Sequence, residues 1–259
     1  PYNDSIAAFQ NPYIHWVITI FMLISGINFV LHYRIITFQF RYVRRNSEFK
    51  AYFLIFFIAL IGISISNFGE SYTSIFESIR YGAFQVASIM TTTGSVTADY
   101  ELWPAFSKAI IFVLFVVGGS VGSTGGGIKV MRSLTLVKQA FTEFKYLLYP
   151  NGVFRAHINK APINKVFVYS IAGFVFLYFA MLFFTTGVVA SSGTDLLSSF
   201  ATSIATVGNV GPGFAAVGPT ENYAAFPDYV KLWLSAAMLI GRLEIFTVII
   251  VFTPFFWRR

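Results

Sequence analysis

The chain has 259 residues, of which 56% are hydrophobic and 19% aromatic, while only 11% are charged. A typical soluble domain has about 25% charged residues, and less than half that share cannot cover the surface that a fold of this size presents to water. With a mean hydropathy of +0.68, the composition defines a membrane protein and sets aside soluble enzymes and nucleic-acid binders, and the absence of cysteine removes disulfides, thiolate metal sites and cysteine nucleophiles.

The first residues are polar and begin at Pro1 without a methionine or a signal-peptide pattern, which reads as a truncated or processed start. From there, apolar runs near the ~20 residues a bilayer requires predict five spans, at 15–33, 52–66, 105–121, 166–190 and 230–256. Segments 74–91 and 195–207 are helical in pattern but too short or too polar to cross lipid. They suit re-entrant helices buried in protein.

If every span crosses once, 14 of the 18 basic residues fall on one side. These are Arg34, Arg41, Arg44, Arg45 and Lys50 after span one, Lys129, Arg132, Lys138, Lys145, Arg155, Lys160 and Lys165 between spans three and four, and Arg258 and Arg259 at the end. The positive-inside rule makes that side cytoplasmic, so the net charge of +7 reports topology rather than a nucleic-acid partner. Opposite lie Asp4, Glu70, Glu77, Asp99, Glu101, Asp195, Glu221 and Asp228. They form either an acidic vestibule that concentrates cations or carboxylates that are simply tolerated outside.

The plan of span, short helix, Gly-rich turn and span occurs twice. The short helices end in Thr91-Thr92-Thr93-Gly94-Ser95 and in Thr206-Val207-Gly208-Asn209-Val210-Gly211-Pro212-Gly213. An ion crossing hydrocarbon needs fixed oxygens in place of its lost water, and extended backbone carbonyls supply them. Glycine permits the necessary backbone angles, and a helix C-terminus aimed at the membrane centre adds about half a negative charge. Ser74 to Glu77 has the spacing of a capping box that starts the first short helix. One Thr-Thr-Thr-Gly alone is an ordinary turn; two in equivalent places fit selectivity filters.

At the end of span three stands a glycine-rich run: Gly118, Gly119, Ser120, Val121, Gly122, Ser123, Thr124, Gly125, Gly126, Gly127, Ile128, Lys129. Each Gly costs ~1 kcal/mol against Ala in a helix, so this stretch is expected to be unwound. A phosphate-binding loop is excluded because Ile128 stands where the motif needs lysine. Unwound backbone at membrane depth must be buried or line a cavity, which fits either a mobile gate under the filters or a rigid packing kink. Span five carries Arg242 and Glu244 within an apolar helix, about 200° apart around it, and each charge there needs a reason. The candidates are a barrier by the conduction path, an anchor for the glycine-rich loop, or a tie between neighbouring helices.

The runs SIMTTTGSVTADYELWP, GGSVGSTGGGIKVMR, VGNVGPGF and AMLIGRLEIFTVIIVFTPFFWRR, in that order, resemble the TrkH/TrkG branch of the Trk/Ktr/HKT potassium-uptake family. The resemblance implies an all-α integral membrane fold of repeated channel-like units, pseudo-fourfold when complete. By it, residues 1–45 correspond to the closing span of a second unit, 46–160 to a third unit with filter and intramembrane loop, and 161–259 to a fourth unit with filter. It implies that Thr92, Thr93 and Gly94 form the third filter and Asn209, Val210 and Gly211 the fourth, with potassium as the transported ion meeting the carbonyls of Thr92, Thr93, Asn209 and Val210. It further assigns residues 118–129 to a gating loop and Arg242 to the pore below the filter. The implied setting is the lipid bilayer of the bacterial inner membrane, with a cytoplasmic C-terminus, a homodimeric assembly and a cytosolic TrkA-like nucleotide-binding ring. The expected activity is potassium translocation, not enzymatic catalysis. The alternatives weighed against it are a proton- or sodium-coupled secondary cation transporter and a non-conducting membrane scaffold.

Overall fold

The computed structural model describes residues 5–159 and 161–258; Pro1, Asp4, Lys160 and Arg259, named above, lie outside the described residues. The expectation of an all-α membrane protein holds. Among the described residues, two helices are long and apolar enough to cross a bilayer unbroken, α4 (Ser47–Asn67) and α8 (Lys165–Ala190), with mean hydropathies of 2.1 and 2.2. The remaining three predicted spans are interrupted.

Span one is two helices, α1 (Pro12–Ser25) and α2 (Phe29–Ile36), bent by 103°. Asn28 caps α2 by accepting the Val30 N–H at 2.8 Å. The Gly26 carbonyl accepts the Ser120 N–H at 2.9 Å. A Cβ at Gly26 would stand 2.4 Å from the Tyr52 hydroxyl, so glycine is what lets the bend pack against α4. A short α3 (Phe40–Arg45) then leads into α4.

Span three shrinks to α6 (Ala105–Leu114), after which the chain unwinds until α7 (Val130–Leu148); the predicted end at residue 121 is too late, because Gly118 N–H pairs with Ile128 O instead of continuing a helix. Span five also breaks. It becomes α10 (Asp228–Arg242) and α11 (Ile245–Val251), bent by 109°, with Glu244 at φ +63 between them. Arg242 and Glu244 therefore do not sit within one helix, and the 200° separation expected of them does not apply. Helix α12 (Pro254–Trp257) closes the described chain, and a two-residue hairpin of β1 (His157–Ile158) and β2 (Ala161–Pro162) lies between α7 and α8.

The two re-entrant helices appear close to where they are expected, α5 (Ile75–Met90) and α9 (Leu196–Val207). They are the most buried elements. Residues 82–90 of α5 and 201–207 of α9 are all buried, with α5 packed against α1 and α4, and α9 against α8 and α10. Helix α9 is rich in Ser and Thr yet pays little for their burial. Thr202, Ser203 and Thr206 donate to the carbonyls four residues back, at 2.7, 2.9 and 2.7 Å, which satisfies groups that hydrocarbon would leave orphaned. The capping box expected at Ser74 is absent: Ser74 is the N-cap but makes no side-chain cap bond, and Glu77 instead lies 4.0 Å from Arg80. It is α9 that has a carboxylate cap, Asp195, which accepts the Ser198 N–H at 3.0 Å.

Candidate functional site

The two short helices end in the same way, bond for bond. In α5, Thr92 N–H reaches Ile89 O at 3.0 Å and Thr93 N–H reaches Ser88 O at 2.9 Å; in α9, Asn209 N–H reaches Thr206 O at 3.0 Å and Val210 N–H reaches Ala205 O at 2.9 Å. This pair of bonds is a Schellman ending, which requires a left-handed residue just past the cap. Thr92 and Asn209 occupy that place at φ +53 and +55, and two residues on, Gly94 and Gly211 are left-handed again at +75 and +108. Asparagine tolerates the conformation well, whereas a β-branched threonine there is an outlier that its surroundings must hold. The hold is visible: Thr92 Oγ1 accepts the Gly126 N–H at 2.7 Å.

These turns meet each other. A Cβ built on Gly94 would lie 2.2 Å from the Val210 carbonyl oxygen, and one on Gly211 would lie 3.9 Å from the Gly94 Cα. Residues 92–94 and 209–211, far apart in sequence, thus form one structural locus.

The glycine-rich run lies against that locus. A Cβ on Gly126 would be 2.4 Å from Gly208 O and 3.2 Å from the Asn209 Cβ, and one on Gly125 would be 3.4 Å from Thr91 O. The loop is fastened at its margins. Gly119 O accepts from Val130 N–H, Gly122 O accepts from Phe29 N–H at 3.1 Å, and the buried Glu48 carboxylate accepts the Val121 N–H at 2.7 Å. Within it, Ser123 Oγ donates to Ser120 O at 2.6 Å, and Lys129 Nζ donates to Gly125 O. Thr124 and Gly127 complete the stretch, Gly127 at φ +65. Glycine at Gly118 and Gly126 is demanded by space, since a Cβ would run into backbone at 2.0 and 2.4 Å.

Between the loop and the α10–α11 break is a cavity of about 290 Å³, lined by residues 122–127 together with Lys129, Arg132, Phe174, Gly241, Arg242 and Glu244. Arg242 therefore does share a space with the loop. Its companion was not anticipated: Arg132 donates to Glu244 Oε2 at 2.7 Å while its guanidinium lies 3.8 Å from the Phe174 ring centre, so that α7, α8 and α11 converge on one ion pair. Three basic groups and one carboxylate make the cavity wall net positive.

Sequence reasoning also missed the outer supports of the second turn. The Tyr223 hydroxyl donates to Gly211 O at 2.5 Å, and the fully buried Tyr100 donates to Gly213 O. Glu101 accepts the Ala215 N–H. The signal for them is slight: two tyrosines and a glutamate in polar loops have no local pattern that places them beside residues 211–215. Among the described residues, no cluster of His, Asp or Glu has the makings of a metal site.

Short buried helices ending in paired left-handed turns and framed by apolar helices define an integral membrane protein of the repeated, channel-like kind. The chain belongs to the TrkH family, described as a cation transport protein, which it matches over residues 2–259. It is 34% identical to the Trk system potassium uptake protein TrkH of Escherichia coli (strain K12) over 100% of its length, and 33% identical to TrkG of the same organism over 99%, covering 53% of each relative. The crystal structure of the potassium transporter TrkH from Vibrio parahaemolyticus superposes with a TM-score of 0.92 at 32% identity, covering 99% of this chain and 55% of that one. The chain thus spans about half the length of the curated relatives it matches.

Proposed function

We propose that this chain supplies two of four filter-bearing units of a potassium-uptake pore in the bacterial inner membrane. In this reading residues 1–45 close a preceding unit, 46–160 form the third and 161–259 the fourth. The observation that carries it is the pair of turns at 92–94 and 209–211. They share backbone conformation, hydrogen bonding and an origin at a buried helix C-terminus, and they touch. Two left-handed residues in each turn take the backbone out of helix and strand and leave oxygens that those would keep for themselves, which is what a dehydrated cation needs, and the helix ends add negative potential. Relatives that carry "potassium uptake" in their names point to K+ as cargo.

The loop at 118–129 is the gate in this reading. It presses on both turns from one side and faces the positive cavity on the other, where Arg242, Arg132 and Lys129 oppose cation occupancy. A cytosolic TrkA-like ring acting on the basic connectors would move it, in a homodimer whose C-termini are cytoplasmic.

The test is potassium uptake by the whole transporter in cells lacking other uptake systems. Gly94→Ala puts a methyl 2.2 Å from the Val210 carbonyl and strains φ, whereas Gly211→Ala strains φ alone. Both should degrade discrimination of potassium over sodium, Gly94→Ala more. Wild-type selectivity in both variants would defeat the proposal.

A further inference from the structure

The segment from the α1–α2 break to the start of α4 is both greasy and basic. Phe29, Val30, Tyr33, Ile36, Phe38 and Phe40 are all at least half exposed, and Arg34, Arg41, Arg44, Arg45 and Lys50 interleave with them or follow. Because the chain turns by 103° at the break, α2 leaves the axis of the membrane helix that precedes it, as an element lying in the interface does. The one carboxylate in this stretch, Glu48, is 2% exposed and committed to the Val121 N–H.

Between α2, α3 and the start of α4 is a cavity of about 640 Å³ with Arg34, Arg45 and Lys50 on its wall beside Val30, Leu31 and Tyr42, and no carboxylate lines it. Arg34 is held ready: it donates to Gln39 Oε1 and stacks 4.4 Å from the Tyr42 ring centre. Arg45 and Lys50 make no ion pair among the described residues. Three converging cations with no counter-charge ask for an anion, and oxyanion geometry suits guanidinium donors. The apolar wall and the exposed apolar residues alongside ask for something more than a soluble anion.

We propose that this cavity is a binding site for the phosphate headgroup of an anionic phospholipid of the basic-side leaflet, with its acyl chains against the exposed apolar residues of α1 and α2. Basic pockets at this depth recognise such headgroups by charge. The occupant also touches function, since Gly122 O and Phe29 N–H join the glycine-rich loop to the first residue of α2. A lipid that fixes α2 fixes one margin of that loop. The site itself does not depend on the transport reading.

The test is native mass spectrometry of the complete protein released from detergent with phosphatidylglycerol or phosphatidylcholine of identical acyl chains. Preferential retention of phosphatidylglycerol is expected. R45Q/K50Q should lower that retention by on the order of tenfold, and R41Q/R44Q, which removes the same charge from the same segment outside the cavity, should leave it as in the wild type. Millimolar inorganic phosphate should not displace the lipid. Equal retention of the two lipids by the unmodified protein overturns the proposal without recourse to any variant. So does equal loss in the two double variants, which would assign the effect to a diffuse basic surface, and so does displacement by inorganic phosphate, which would assign the cavity to a soluble anion.

Discussion

At the scale of single residues, several glycines lie so close to neighbouring backbone that a Cβ has no room, and the consequences differ by position. Gly241 brings α10 onto the end of α9: a Cβ there would lie 2.1 Å from Val207 O. Backbone cannot yield as a side-chain tip does, so Gly241→Ala should cost about 1–3 kcal/mol and separate α10 from the second turn. Gly187, in the last turn of α8, has nothing within 4 Å of where a Cβ would stand, so Gly187→Ala should be neutral or stabilising by up to about 1 kcal/mol. Thermal unfolding of both variants in detergent checks the contrast, and equal destabilisation would refute it. Tyr223 offers a subtler case. Its hydroxyl pulls on the Gly211 carbonyl, taking part of that oxygen's capacity from anything on the other side. Loss of one such bond is worth about 0.5–1.5 kcal/mol, so Tyr223→Phe should change the potassium-to-sodium preference by roughly threefold to tenfold while uptake persists. Sodium competition against potassium uptake reads this directly, and an unaltered inhibition curve would leave Tyr223 with a packing role alone.

At the scale of elements, what was legible in the sequence divides by how locally each feature is encoded. The short helices α5 and α9 and the unwound run after α6 were legible because their marks are local: Thr- and Gly-bearing ends, and six glycines between residues 118 and 127. The breaks in spans one and five were not, since Gly26 and Gly241 stand alone within apolar runs that a continuous helix would also accept. What breaks them is distant. Gly26 O is taken by Ser120, and Glu244 is drawn to Arg132, a partner 112 residues away. The glycine-rich loop at 118–129 is the element that these distant bonds hold in place. Thr92 Oγ1 to Gly126 N–H bonds it to the first turn, and Lys129 to Gly125 O closes it upon itself. Deleting Gly125 to Gly127 removes both attachments and the backbone that crowds Gly208 O. If the loop is the gate that we propose, flux without the proposed cytosolic ring should rise, measured as potassium efflux from proteoliposomes containing the complete protein alone. A flux that still requires the regulator would mean that the closure lies elsewhere.

At the scale of the molecule, the two turns in contact make only part of the ring that the proposed function requires, since a cation stripped of water needs oxygens on all sides. The ion should therefore bind the assembled transporter and not its unfolded chain, and ligands that bind only the native state stabilise it by RT ln(1 + [L]/Kd). At a potassium concentration 100 times its Kd this amounts to about 2.7 kcal/mol. Ionic strength acts on the surface charges alike for any monovalent chloride, so the comparison that isolates the site is potassium against sodium at equal concentration. The thermal midpoint of the complete transporter should be higher in potassium. The difference should fall away in Gly94→Ala, whose methyl enters the contact between the turns, but survive in Gly187→Ala, which touches nothing. Loss in both variants would trace the effect to general stability, and equal midpoints in the two salts for the unaltered protein would remove the ion from between the turns.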